Sequence, residues 1–213
     1  MAKLSSSYKN MLLSLTLICF LAAGLLAKVN DFTKTPISEA KSQKLEEAIK
    51  NVVPKFDNNP VSEAYKAATR AGDSLTIYPA KVKGEIVGFA INSFSDNGFS
   101  GNMQIMMGLD VESNVVNYTV LSHSETPGLG SLMVDWFKPK AHNPSLIEKL
   151  FGFEIKGEEA KSSIIGIKLA DTRLAVSEDG GDIDAISAST ITSRAFLEAV
   201  NKAYEAYSQD ISK

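Results

Sequence analysis

Hydrophobic and polar positions divide the chain into an apolar amino-terminal run and a longer part with mixed patterning. Residues 10–27 carry no charged side chain. As a helix rising about 1.5 Å per residue, such a run nearly matches the hydrocarbon thickness of a bilayer. Lys3 and Lys9 precede the run and no acidic residue does. The pattern therefore predicts a transmembrane anchor at 10–27, with residues 1–9 in the cytoplasm and the main domain on the periplasmic or outer side of the inner (cytoplasmic) membrane.

A cleaved signal peptide is the alternative interpretation of the same run. Small residues at 22–24 and at 27 offer cleavage sites, but the run is longer than a usual signal core, which favours a retained anchor. Cys19, the one cysteine of the chain, lies inside the run and is interpreted as an apolar filler.

The patterning of residues 28–213 predicts one α+β domain. Thr35 and Pro36 are typical of a helix start, and apolar positions at helical spacing follow as far as Pro54. Segments rich in β-branched and aromatic residues, separated by glycine-containing or polar turns, then predict an antiparallel meander with strands at 75–82, 85–94, 103–109 and 115–121.

The rest of the domain is predicted to add mostly helices. The pattern indicates short helices at 131–140 and 145–151, a strand at 164–169, and a final helix beginning near Thr190.

Composition excludes several classes of protein. With 44% hydrophobic residues, 22% charged residues and a net charge of -3, the chain is globular and has no basic excess for nucleic acid. His123, His142 and a single cysteine follow no zinc spacing, and the acidic stretch 178–184 is predicted to be a solvated turn and not a calcium loop. No nucleotide-binding or hydrolase motif is present, so any redox chemistry needs a borrowed cofactor.

Small and hydroxyl residues crowd the predicted start of the last helix at 184–195. Ser187 or Ser189 is expected to cap this helix in one interpretation. In the other, free N–H groups and the helix dipole form a phosphate site, with Arg194 adding positive charge.

A second polar turn follows the last strand of the meander. Pro127 fixes one backbone angle, while Gly128 and Gly130 permit positive φ. The segment is either a tight turn with Leu129 in the core or a place where backbone approaches a flat ligand.

Three motifs together resemble the FMN-binding subunits of bacterial redox-driven ion pumps, namely the G subunit of the Rnf electron-transport complex and the C subunit of the sodium-translocating NADH:quinone reductase. Residues 184–193 read Asp-Ala-Ile-Ser-Ala-Ser-Thr-Ile-Thr-Ser, which is similar to the family's flavinylation signature. Residues 125–130 match its Glu-Thr-Pro-Gly-Leu-Gly element, and residues 97–110 are similar to its glycine-rich turn and strand.

The resemblance implies that a dedicated flavin transferase attaches FMN to Thr190 through a phosphoester. The further cofactor-binding residues that it suggests are Ser187, Ser189, Thr126, Gly128, Leu129 and Gly130. It assigns no residue as acid, base or nucleophile, so the chain is expected to carry electrons and not to be a catalyst alone. Its partners would be the membrane and iron–sulfur subunits of an Rnf-type complex that couples ferredoxin and NAD to ion transport.

Two other functions remain open beside that of an Rnf-type electron carrier. One is the role of the C subunit of the quinone reductase, and the other is that of an anchored, non-redox binding protein with a degenerate flavin site. The second rests on Ala188 and Ser189, which stand where the family signature has Gly-Ala. Alanine at the glycine position is expected to be strained if the backbone there has positive φ.

Overall fold

The computed structural model describes residues 7–139 and 161–211. The chain separates into two compact units, Met1–Leu45 and Glu46–Lys213. The helices are α1 (Tyr8–Val52), α2 (Met133–Trp136), which follows a 3₁₀ turn at Gly130–Leu132, and α3 (Thr190–Ile211). The strands are β1 (Tyr65–Ala68), β2 (Ser74–Val82), β3 (Glu85–Gly98), β4 (Gly101–Leu109) and β5 (Val115–Ser122).

Helix α1 contains the apolar run. Within the described residues it is the one helix long and apolar enough to cross a membrane, and none of its most apolar stretch is buried in protein. The predicted helix start at Thr35 and Pro36 is wrong, because α1 passes through Pro36 without ending. An interior proline loses its own N–H bond and costs about 3 kcal/mol. Good helix formers at 39–50, mainly Lys, Glu, Ala and Leu, follow the proline and let the helix continue.

The five strands form one antiparallel sheet in the order β1-β2-β3-β4-β5. This meander confirms the four predicted strands, and β1 is an additional short strand that the pattern of Tyr65–Ala68 did not reveal. Together with the helices, the sheet confirms the predicted α+β class.

Helix α3 packs on the sheet and closes the core. Phe196 stacks on Phe137 with ring centroids 4.5 Å apart and meets Tyr118 edge to face at 4.8 Å. All three side chains are fully buried. Ser93 Oγ of β3 donates to the Ala199 carbonyl at 2.7 Å, which joins sheet and helix in the middle of the core.

The predicted strand at 164–169 is wrong. This segment runs through turns, and Lys168 makes one isolated bridge with Asn114. Gly166 has φ 82°, a left-handed conformation that interrupts an extended strand. The predicted helix at 131–140 is present in shorter form as the 3₁₀ turn and α2, whereas the predicted helix at 145–151 and His142 lie outside the described residues.

Candidate functional site

The loop before α3 is held by hydrogen bonds to both neighbouring helices. Trp136 Nε1 of α2 donates to the Asp184 carbonyl at 2.9 Å. The Ile186 N–H donates to Ser193 Oγ in the first turn of α3, also at 2.9 Å. Ser193 is fully buried, so its hydroxyl serves the local fold and is closed to solvent. The start of α3 is therefore a defined surface and not a frayed end.

Ala188, which stands where the family signature has glycine, adopts a left-handed backbone conformation. Its φ is 61°. The turn containing it is closed by the Ser189 N–H, which donates to the Ile186 carbonyl at 2.9 Å. A residue with a Cβ is destabilised by about 1–2 kcal/mol in this conformation, and glycine is not. The alanine is thus accommodated at the position where the family signature has glycine, but it is strained.

Three hydroxyl side chains in the first turn of α3 differ in their environment. Thr192 Oγ1 donates to Glu125 Oε2 at 2.7 Å, and Ser193 Oγ donates to the Ser189 carbonyl at 3.1 Å. Both residues are buried, whereas Thr190 is half-buried. Within residues 7–139 and 161–211 no hydrogen bond engages the Thr190 hydroxyl. Thr190 is therefore the hydroxyl of this turn that remains available for chemistry.

The first backbone N–H groups of α3 are also available. Ser193 N–H donates to the Ser189 carbonyl at 3.0 Å and begins the helical ladder. In the described part of the chain, the N–H groups of Thr190, Ile191 and Thr192 have no hydrogen-bond partner. Three free N–H groups at the positive end of a 22-residue helix suit a phosphate with one remaining negative charge.

The predicted caps do not form. Among the described residues, neither the Ser187 nor the Ser189 hydroxyl accepts a bond from the helix start. Ser187 is exposed, while Ser189 is 8% exposed and turned into the protein. The absence of a side-chain cap leaves the N–H groups of this end for an external acceptor.

Arg194 forms an ion pair with Asp179, so its positive charge is not free to act at the start of α3. Its Nε and Nη2 atoms donate to the two carboxylate oxygens of Asp179, each at 2.7 Å. The hydrogen bond from Arg194 lowers the pKa of Asp179 below its ordinary value. Both side chains are nearly half exposed, so the pair contributes little stability. The ion pair links the 3₁₀ turn Ser177–Asp179 to α3.

The polar turn after β5 lies against the start of α3. Glu125 is 5% exposed, and its Oε2 accepts the bond from Thr192. Gly130 is buried beside this pair, and a Cβ there would lie 2.5 Å from Glu125 Oε2 and 2.7 Å from Thr192 Oγ1. The close approach requires glycine at this position. The fold thus brings together two motifs that are far apart in sequence, with a separation of 67 between the bonded residues.

Most of this turn faces solvent. Thr126, Gly128 and Leu129 are exposed, and Gly128 has φ 76°, which glycine permits. Leu129 is 43% exposed, so the interpretation that placed it in the core is wrong. Ile191, in the first turn of α3, is 49% exposed. Each of the two motifs therefore presents one exposed apolar side chain. Such side chains can pack against the flat apolar face of a ring system.

The other residues considered from sequence lie outside this arrangement or support it locally. His123 is exposed, and its Nδ1 accepts a bond from the Glu125 N–H at 3.2 Å. Among the described residues no group of His, Cys, Asp and Glu has the arrangement of a metal site. Glu178 and Asp179 of the acidic stretch lie in the Ser177–Asp179 turn, which ends at Gly180 with φ 80°.

The hydrogen bond between Glu125 and Thr192 was not predicted from the sequence. Both residues lie inside the two motifs, but nothing local marks which hydroxyl or carboxyl turns inward. The helical period offers a partial signal, because Thr192, Ser193 and Phe196 share the buried side of α3 while Thr190 and Arg194 lie off it.

Comparisons with known proteins agree with these motifs. A family described as an FMN-binding domain matches residues 98–205, which include both motifs. The G subunit of the ion-translocating oxidoreductase complex of Aliivibrio fischeri is 31% identical over 206 residues, which cover 93% of this chain and 89% of the relative. Its counterpart in Shewanella oneidensis is 29% identical, with 94% and 89% covered. The G subunit of the Na(+)-translocating ferredoxin:NAD(+) oxidoreductase complex of Acetobacterium woodii is 30% identical, with 94% and 91% covered.

Proposed function

This chain belongs to the family of FMN-binding G subunits of ion-translocating oxidoreductase complexes, and from that premise we propose that it passes electrons through an FMN attached to Thr190. It is a flavoprotein component of an electron-transport complex and carries an apolar helix suited to membrane anchoring. The names of these relatives favour the Rnf-type complex over the quinone reductase.

One observation carries the assignment to Thr190. Thr190 is half-exposed, its hydroxyl is unbonded within the described chain, and the residue begins a helix with three free N–H groups. The neighbouring hydroxyls of Thr192 and Ser193 are buried and engaged. A phosphoester on Thr190 would place the remaining phosphate charge at the positive end of α3, where it is stabilised.

The other residues fit the same cofactor. Leu129 and Ile191 offer exposed apolar surface for the isoalloxazine ring. Gly128 leaves the exposed backbone of the turn open to the ring, and the buried Gly130 lets the turn pack against Glu125 and Thr192. Thr126, Ser187 and Ser189 belong to the same two motifs. Once bound, FMN supplies reversible electron transfer that no side chain of this protein provides. The protein's own part is to hold the flavin, keep its phosphate charge stabilised and set the ring's surroundings.

Attachment requires a second protein. The Thr190 hydroxyl would form an Oγ1–P bond with the FMN part of flavin adenine dinucleotide while the pyrophosphate bond of that donor breaks. The adenosine monophosphate that leaves takes up the hydroxyl proton, so the step needs no oxidant or reductant. A flavin transferase on the same side of the membrane as the domain is the proposed catalyst. Under this proposal residues 28–213 lie outside the cytoplasm, an orientation that the charges of Lys3 and Lys9 also favour.

In-gel flavin fluorescence after denaturing electrophoresis tests the covalent link. The full chain and its Thr190→Ala and Ser187→Ala variants would be co-expressed with the transferase. We expect equal fluorescence from the native chain and Ser187→Ala, and none from Thr190→Ala. A dark native band, with a transferase that labels another substrate, would rule out the covalent assignment.

A further inference from the structure

Glu125 is the one acidic or basic side chain that is buried among the residues the structure describes. A carboxyl group in this setting is costly unless its oxygens are hydrogen-bonded. Both carboxylate oxygens of Glu125 are hydrogen-bonded. Oε2 accepts from Thr192 Oγ1 at 2.7 Å, and Oε1 accepts from the Ser100 N–H at 3.1 Å. One side chain therefore joins α3, the turn between β3 and β4, and its own turn after β5.

The surrounding backbone leaves room for this carboxyl group. A Cβ at Gly130 would lie 2.5 Å from Oε2, and a Cβ at Gly98 would lie 2.7 Å from Oε1. Neither distance is sterically possible without a shift of the side chain or backbone. Gly130 thus makes room for Oε2. At Gly98, the last residue of β3, the nearest atom to such a Cβ is the Gly101 carbonyl oxygen, with Oε1 next, so this glycine is required by the β3–β4 turn as well as by the carboxyl group.

The helical geometry connects this bond to Thr190. With about 3.6 residues per turn, residues two apart point roughly 200° away from each other around the helix axis. When Glu125 holds Thr192 on the buried side of the first turn, Thr190 faces the opposite, open side. The first turn lacks a side-chain cap among the described residues. Ser193 Oγ ties this turn to its own preceding loop, and the bond from Thr192 to Glu125 ties it to the turn after β5.

We propose that Glu125 is a positioning residue for the flavin attachment, acting through Thr192 to fix the first turn of α3 and thereby the direction of the Thr190 hydroxyl. This inference rests on the proposed attachment at Thr190. It assigns Glu125 no contact with the reacting atoms. Displacements near 1 Å at a reacting group can slow a reaction by about a hundredfold, so a bond that fixes direction has a measurable effect on rate.

The chain offers a control carboxylate in Glu198, whose side chain is more exposed than that of the buried Glu125. This carboxylate also bridges the sheet and α3, accepting from Ser95 Oγ at 2.8 Å and from Asn97 Nδ2 at 2.7 Å. It lies about two turns further along α3 than Thr190. If Glu125 only stabilises the fold, truncating either carboxylate should have the same effect on attachment.

The labelling rate of the full-length chain in detergent is the first measurement, with purified flavin transferase and flavin adenine dinucleotide. We expect Glu125→Ala to slow labelling roughly ten- to a hundredfold. Glu125→Gln keeps the shape and can still bond Thr192 and Ser100, and should recover most of the rate. Glu198→Ala should stay within about twofold of the native chain, since it leaves the first turn intact.

Thr192→Val removes the same bond from its other end while keeping the side-chain volume. We expect it to slow labelling as Glu125→Ala does, and the double variant to be no slower than the slower single variant, because the bond between Glu125 and Thr192 is lost in all three. This variant also keeps the test decisive if Glu125→Ala folds poorly.

Amide hydrogen exchange gives a readout that needs no flavin. The Ser193 N–H bonds the Ser189 carbonyl at 3.0 Å and reports on the first turn of α3. This amide proton should exchange at least about tenfold faster in Glu125→Ala and Thr192→Val, and its exchange rate should be unchanged in Glu198→Ala.

The outcomes separate the two claims. A native chain labelled at Thr190 together with native rates in Glu125→Ala and Thr192→Val would overturn the role of Glu125 and leave the proposed function standing. Equal slowing in Glu198→Ala would reduce Glu125 to a stabilising residue and also overturn the inference. A native chain that an active transferase does not label would overturn the proposed function and the inference with it.

Discussion

At the scale of single residues, the start of α3 divides similar side chains between different tasks. Thr192 and Ser193 turn inward and bond to Glu125 and to the loop, whereas Thr190 remains half-exposed and unbonded in the described chain. Ala188 shows the cost of this arrangement, since it has φ 61° at a position suited to glycine. The local conformation therefore fits the attachment site even where the residue type does not.

Ala188→Gly should stabilise the protein. Glycine removes the left-handed penalty of alanine but loses more backbone entropy on folding, so we expect a net gain of about 0.5–1 kcal/mol. Urea unfolding of the full chain in detergent measures this change in the free energy of unfolding. Ala185→Gly is the control, because Ala185 has no positive φ and glycine there should destabilise by a similar amount. Destabilisation by both variants would contradict the strain at Ala188.

At the scale of elements, the core between α3 and the sheet sets the position of the attachment site. Phe196 lies six residues after Thr190 and packs between Phe137 and Tyr118. Tyr118 Oη donates to the Met133 carbonyl at 2.7 Å, so β5 and α2 are joined to the same cluster. The cluster places the first turn of α3 beside the turn after β5.

Phe196→Ala should destabilise the domain strongly. Removing a fully buried ring leaves a cavity and costs about 3–5 kcal/mol. Phe99→Ala, at a ring that is 69% exposed, should change the free energy of unfolding by less than about 0.5 kcal/mol. Chemical denaturation of the two variants compares them directly, and similar losses in both would contradict the packing described for α3.

The elements also show which parts of the fold could be predicted from sequence. The strands β2 to β5 and the start of α3 follow from local patterns, because alternation and turn residues report on the neighbouring few positions. The continuity of α1 through Pro36 did not follow, since the good helix formers after Pro36 outweigh one lost bond. Likewise, the bond between Glu125 and Thr192 depends on a tertiary contact that no local pattern encodes.

At the scale of the whole molecule, an apolar helix and a flavin-binding domain occur in one chain. The helix has the length and composition of a membrane span, and the domain belongs to a family of proteins from ion-translocating complexes. The membrane and iron–sulfur subunits of such a complex are the proposed partners, and the anchor would keep the flavin close to them.

Cysteine labelling tests the proposed orientation. Cys19 is the one native cysteine, so a Cys19→Ala background carries none. In spheroplasts we expect an impermeant maleimide to label Ser74→Cys, an exposed position of the domain, but not Ser6→Cys. Permeabilised cells provide the control, in which both positions should react. Labelling of Ser6→Cys alone in intact spheroplasts would place the domain in the cytoplasm.

The most direct test of the account is to locate the flavin on the native chain by mass spectrometry. Trypsin cuts after Arg173 and Arg194, so residues 174–194 form one peptide that contains Ser187, Ser189 and Thr190. The peptide would come from a chain matured by the transferase and be fragmented to find the residue that carries the FMN phosphate. We expect the fragments to gain this mass at Thr190. A modification at Ser187 or Ser189, or an unmodified peptide throughout, would contradict it.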